Sequence, residues 1–177
     1  MNAAAPTTVF LDRDGVIVRN RVGYVLQPDQ LELLPGAADA IRRLCAAGKR
    51  VMVVTNQSVV GRGLVSSATL AAIHRRLEDM VANEYGGIER IFVCPHHPSA
   101  GCNCRKPRPG LLFAARLEAG IALEESVLVG DMPSDVEAAR AAGCGAVLIG
   151  AGGSVDAPTV PDLSAAVDLL LGDRVAC

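Results

Sequence analysis

Short runs of consecutive apolar residues alternate along this chain with longer stretches whose apolar positions recur every three or four residues. The first kind reads as buried strand and the second as amphipathic helix. Thr8-Val-Phe-Leu-Asp12, Arg50-Val-Met-Val-Val-Thr55, Ile91-Phe-Val-Cys94, Ser126-Val-Leu-Val-Gly130 and Ala146-Val-Leu-Ile149 are the predicted strands. Predicted helices span 37–47, 66 to about 85 with Ser66 as N-cap, Pro109 to about Gly120, Pro133–Ala142, and 163–171. Gly48, the Gly86-Gly87 pair and Gly120 mark helix ends, and Pro109 suits a first helical turn. The stretch 150–161 reads as loop. Strand alternating with helix predicts a doubly wound α/β fold with a mainly parallel sheet. In such sheets ligands bind beyond the C-terminal strand ends. Asp12, Thr55, Cys94 and Asp131 all stand at or just past a predicted strand end.

Composition narrows the class. The 177 residues suit one domain spanning 1–177, and 50% hydrophobic content is ample for a core. The 17 basic and 19 acidic side chains leave a formal charge of −2, which argues against disorder and against a general nucleic-acid binder. Aromatic residues make up 3%, with no Trp, so base stacking is poorly supported. No run approaches the ~20 apolar residues of a membrane span. The opening Met-Asn-Ala-Ala-Ala-Pro-Thr-Thr lacks the basic start and apolar stretch of a secretory signal. The expectation is a cytoplasmic monomer acting on a small molecule, with no nucleic-acid or membrane partner.

Candidate chemistry gathers in four segments. Asp12-Arg-Asp14-Gly15 follows the first strand, and two adjacent carboxylates repel each other unless a cation such as Mg²⁺ intervenes. One carboxylate can then attack an electrophile while the other moves protons. Gly130-Asp131-Met-Pro-Ser-Asp135 supplies Asp131 as a further metal ligand, with Asp135 placed to cap or orient the following helix. Thr55-Asn56-Gln57-Ser58 offers a hydroxyl and backbone N–H groups for a phosphate oxygen. Lys106, one of two lysines against fifteen arginines, supplies a compact positive charge for a phosphoryl group. Cys94, Cys102 and Cys104 with His96 or His97 can close a tetrahedral Zn²⁺ site over 94–104, and the spacing favours His96. His74 lies on the apolar face of a predicted helix and reads as structural.

Asp12/Asp14/Gly15, Thr55, Lys106 and Asp131/Asp135, in that order, resemble the haloacid dehalogenase superfamily of phosphatases over about residues 8–150. The Cys94–Cys104 loop followed by Arg105-Lys106-Pro107 resembles the branch that acts on heptose bisphosphates and histidinol phosphate. Gly23-Tyr24-Val25, and Thr55–Ser58 followed by Gly61-Arg62-Gly63, lean toward the heptose group. Val16 and Met132 depart from that group, which often has Thr and Lys there. The resemblance implies a Rossmann-like core without a separate cap domain. It implies Asp12 as nucleophile, Asp14 as proton donor and acceptor, and Thr55 with Lys106 stabilising the transferring group. Mg²⁺ would be held by Asp12, Asp14 (through its carbonyl) and Asp131, and structural Zn²⁺ by Cys94, His96, Cys102 and Cys104. Substrate contacts fall on Arg13, Gly23, Tyr24, Asn56, Gln57, Ser58, Arg62 and Arg105. Of these, Arg105 suits a second phosphate through its forked guanidinium. A histidinol-phosphate phosphatase and a non-catalytic zinc-stabilised module are the competing readings. The sequence leaves the anomer of a heptose substrate open.

Overall fold

The computed structural model describes residues 6–150 and 156–172. Six strands, β1 (Thr8–Leu11), β2 (Arg50–Asn56), β3 (Arg90–Cys94), β4 (Ser126–Gly130), β5 (Gly145–Ile149) and β6 (Thr159–Val160), form one sheet. Their order is β3-β2-β1-β4-β5-β6, and every pairing is parallel. The expected doubly wound α/β architecture is present. Chain order reverses between β1 and β4, so the crevice at their C-terminal ends is the topological switch point of the sheet.

Both faces of the sheet are covered, which is why its strands read as continuous apolar runs. Alternation within β1 divides the core: Val9 and Leu11 face one layer, Phe10 the other. The first layer contains α1 (Ala37–Ala46), α2 (Ser67–Val81) and α5 (Leu163–Leu171). In α1 the buried Ala37, Ala40, Ile41 and Leu44 follow helical spacing. The second layer contains α3 (Gly110–Ala119) and α4 (Pro133–Ala142), with Leu111, Leu112, Ala115, Ala138 and Ala139 packed on Phe10, Met52 and Leu128. Among the described residues every strand belongs to this sheet. No helix there is long and apolar enough to cross a membrane.

Local chemistry explains the departures from expectation. Ser66 does cap α2, its Oγ accepting from the Thr69 N–H at 3.0 Å. The helix ends at Val81 rather than near Tyr85, because Asn83 forms a turn of its own. Asn83 Nδ2 donates to the Val81 carbonyl at 3.1 Å, and its Oδ1 accepts from Tyr85 N at 2.9 Å. β1 stops at Leu11, although the Asp12 N–H still donates to the Val129 carbonyl at 2.9 Å. β6 lies inside the stretch expected as loop; two residues are too few to leave a periodicity. The positions 151–155 and 173–177 of the expected tail lie outside the described residues.

Ile41 is fully buried where α1 meets the sheet, so Ile41→Ala should cost about 2–5 kcal/mol of stability. Leu117→Ala, at a position 83% exposed, should stay within about 0.5 kcal/mol of wild type; urea titrations of both variants check this.

Candidate active site

Two strand ends and the loop before α3 deliver one charge cluster. Asp12 follows β1, and Asp131 and Asp135 bracket the start of α4 after β4. Lys106 reaches in from the loop before α3. Its Nζ lies 3.0 Å from Asp12 Oδ1 and 2.7 Å from Asp135 Oδ1, and donates to the Val54 carbonyl at 2.8 Å. Among the described residues Asp135 Oδ1 has no hydrogen-bond partner beyond its ion pair to Lys106, while its Oδ2 accepts from Met132 N at 3.1 Å. Asp135 therefore both starts α4 and anchors Lys106. Gly130 makes that arrangement possible, because a Cβ there would sit 2.3 Å from Asp135 side-chain atoms.

Burial and neighbouring charges shift these groups. Burial works against the Lys106 ammonium, yet Asp12 and Asp135 hold its pKa above the ordinary value. Burial pushes Asp12 up to about 6; Lys106 opposes the rise and Asp135 adds to it. Asp131 is raised as well, by burial and then by Asp135. Three carboxylates around one ammonium leave an excess of negative charge, the setting in which a hard cation binds. Carboxylate oxygens of Asp12, Asp131 and Asp135 lie within 4.8 Å of one another, so the donor set fits such an ion. Gly15 stands against it at φ +84°, where a Cβ would come 2.0 Å from Asp131 Oδ2.

Asp14 belongs to a second network. Arg13 Nη2 donates to its Oδ1 and Oδ2 at 2.9 and 2.8 Å, and Gln57 Nε2 donates to Oδ2 at 2.7 Å. The same Gln57 nitrogen lies 2.8 Å from Thr55 Oγ1, tying β2 to the carboxylate. Beyond Arg13, its Nη1 approaches His74 Nε2 on α2 at 3.3 Å.

These networks line a cavity of about 350 Å³ at the switch point. Asp12, Arg13, Asp14, Tyr24, Thr55, Asn56, Gln57, Ser58, Arg105, Lys106 and Asp131 all border it. Gly23 and Arg62 do not. Arg62 is exposed beside the rim, donating to Ser58 Oγ at 3.1 Å with its guanidinium 6.0 Å from the Tyr24 ring. Asn56 spends its amide on the Lys106 main chain, donating to the carbonyl and accepting from the N–H, each at 3.1 Å. Arg13 is 1% exposed, with Asp14 and His74 occupying its guanidinium. Arg105 is different: its Nη1 is buried with no hydrogen-bond partner among the described residues. Asn20, Arg21 and Ser134 also line the cavity and were not singled out individually in the sequence; Met132, which departs from the heptose group's usual Lys, borders it too. Asn20, whose Nδ2 lies 3.4 Å from Asp131 Oδ2, sits in a loop with no periodicity to betray it.

The Cys/His loop forms a separate cluster. Cys94 Sγ lies 3.6 Å from both His96 Nδ1 and Cys102 Sγ, and His96 Nδ1 lies 3.2 Å from Cys104 Sγ. All four donor atoms fall within 4.8 Å of one another, the spread of a tetrahedral soft-metal site. His97 is otherwise engaged, its Nδ1 lying 2.7 Å from Ser99 Oγ and 3.2 Å from Ser99 N.

A carboxylate at the end of β1, a buried lysine across from it and an acidic pair after β4 gather at the switch point of a Rossmann-like sheet, groups of the kind phosphoryl transfer uses. Residues 3–143 match the family model described as haloacid dehalogenase-like hydrolase, and this chain belongs to that family. Among curated relatives it is 44% identical over 144 residues to the D-glycero-beta-D-manno-heptose-1,7-bisphosphate 7-phosphatase of Pseudomonas putida, covering 81% of this chain and 82% of that one. It is 46% identical over 159 residues to the D-glycero-alpha-D-manno-heptose-1,7-bisphosphate 7-phosphatase of Mycobacterium bovis, covering 84% of each. The crystal structure of D,D-heptose 1,7-bisphosphate phosphatase from B. bronchiseptica, complexed with magnesium and phosphate, superposes with a TM-score of 0.87. The two share 36% identity over 95% of this chain and 99% of that one.

Burial and then the Arg13 charge lower the His74 pKa from 6.5 to about 4. Below pH 6.5 the unfolded chain binds a proton that the folded one refuses, so this contribution to stability is whole above 6.5 and disappears as pH falls toward 4. Wild type should therefore lose about 2 kcal/mol more than His74→Gln between about pH 7 and about pH 5. Urea titrations of the pair at both pH values check this.

Proposed function

We propose that this chain is a Mg²⁺-dependent phosphatase that removes the 7-phosphate of D-glycero-D-manno-heptose 1,7-bisphosphate in nucleotide-activated heptose biosynthesis. The observation that carries the reading is the placement of Asp12, 3.0 Å from buried Lys106 and beside Asp131, at the switch point of a haloacid dehalogenase fold. The named activities of both relatives support the substrate.

Asp12 uses a carboxylate oxygen to attack the 7-phosphorus, and the bond from phosphorus to the sugar oxygen breaks. Asp14 gives the departing alkoxide a proton, leaving a phosphoaspartyl enzyme. Water then attacks that phosphorus, Asp14 takes its proton, and inorganic phosphate leaves with Asp12 restored. Lys106 and Thr55 hold the phosphoryl oxygens throughout, and Lys106 balances charge as it gathers on them. Mg²⁺, when bound by Asp12, Asp131 and the Asp14 carbonyl, supplies charge neutralisation between the two anions. Arg105 accepts the phosphate that remains on the sugar, a role its unpartnered buried Nη1 supports. Zn²⁺ on Cys94, His96, Cys102 and Cys104 has a structural part, bracing the loop that presents Arg105 and Lys106. The formal charge of −2 supports a small sugar phosphate rather than a nucleic acid, and the enzyme is read as a cytoplasmic monomer.

Phosphate release from both anomers of the heptose bisphosphate and from histidinol phosphate tests the substrate. One heptose anomer should lead in kcat/KM by about a hundredfold, about 2.7 kcal/mol of transition-state preference. A lead for histidinol phosphate overturns the substrate, and near wild-type turnover by Asp12→Asn overturns the phosphoaspartate route. Metal analysis of protein purified without chelator should find about one equivalent of zinc. Stripping it should lower the thermal midpoint, and a content under about half an equivalent would reject the zinc site.

A further inference from the structure

Arg13 is the largest of the fully buried side chains, a charged residue at 1% exposure. A buried ion pair adds little stability over apolar residues of similar volume, so packing alone is a weak reason for its presence. Its contacts suggest another. The fork of Nε and Nη2 grips Asp14: Nη2 at 2.9 Å from Oδ1 and 2.8 Å from Oδ2, Nε at 3.2 Å from Oδ2. Gln57 Nε2 adds a donor to Oδ2 at 2.7 Å. Oδ2 is thus crowded by three N–H groups, whereas Oδ1 meets one. Behind the fork, Arg13 Nη1 reaches His74 Nε2 at 3.3 Å. Arginine is only a donor, so Nε2 must present its lone pair, and the imidazole carries its proton on Nδ1. A hydrophobic residue at 74 would leave that Nη1 without its partner in a buried place.

We propose that Arg13, seated on His74, is a positioning residue that aims Asp14 for proton transfer and leaves Oδ1 as the oxygen that carries the proton. This rests on the phosphatase reading above, in which Asp14 protonates the leaving oxygen. Arg13 touches no reacting atom; it acts through Asp14. Loss of the fork lets the carboxylate rotate away from the scissile bond while Asp12, Lys106 and the cation-binding carboxylates stay in place. The defect then falls on leaving groups that need a proton and spares those that depart as stable anions.

The test is first-turnover leaving-group release by the full-length enzyme with Mg²⁺, using heptose 1,7-bisphosphate and p-nitrophenyl phosphate. The sugar departs as an alkoxide that must be protonated; the nitrophenolate needs no proton. Arg13→Met should slow the first-turnover rate on the sugar ester by about a hundredfold and on the aryl ester by less than about tenfold, with the half-saturating substrate concentration of that first turnover within about threefold of wild type. His74→Leu should show the same selective loss, and His74→Gln, whose side-chain oxygen can accept from Nη1, should recover most of it. That pair keeps the inference testable should Arg13→Met fail to fold. Equal losses on both esters, or no loss in folded Arg13→Met or His74→Leu, overturn the positioning role. A wild-type enzyme inert on both esters defeats the parent phosphatase reading instead, and this inference with it.

Discussion

The buried ammonium of Lys106 is the contact on which the site depends. It joins Asp12 after β1, Asp135 at the start of α4 and the Val54 carbonyl in β2 through three short interactions. Each partner comes from a different part of the chain, so one charge fixes three strand ends relative to one another. A lysine at 5% exposure would be costly alone. Two carboxylates compensate it, and in return it keeps them from repelling each other apart. Asn56 reinforces the arrangement by clamping the Lys106 main chain from the end of β2. The charge cluster and the fold are therefore stabilised by the same bonds.

A second consequence is the separation of two acidic roles within three residues. Asp12 lies against Lys106 and within 4.8 Å of carboxylate oxygens of Asp131 and Asp135, where burial raises its pKa and negative charge is in excess. Asp14 pairs with Arg13 and Gln57 instead. One environment suits a group that bonds to phosphorus, the other a group that only exchanges protons. Gly15 closes the motif because nothing larger fits beside Asp131. The Cys/His cluster stands outside both networks, on the loop that leads directly into Arg105 and Lys106.

Much of this was legible in the residues. Alternating apolar runs and helical periodicities gave the order of elements, and acids placed after strands pointed to one edge of the sheet. The spacing of Cys94, His96, Cys102 and Cys104 marked four donors that the structure does bring together. Less legible were the features that depend on side chains choosing partners across space. Asn83 ended α2 early through a local turn, and β6 was too short to leave a pattern. Asn56 and Gln57 looked like groups open to substrate, yet their amides are taken up by Lys106, Asp14 and Thr55.

The sequence by itself determined the sheet-and-helix order, the candidate acids and lysine, and the metal-ligand spacing, because these follow from local periodicity and residue chemistry. Only the tertiary structure decided that Asp135 anchors Lys106 and that Arg13 is buried between Asp14 and His74. Those pairings join residues as many as sixty-one positions apart, as Arg13 and His74 are. Packing against the sheet sets such distances, and no local pattern along the chain encodes them.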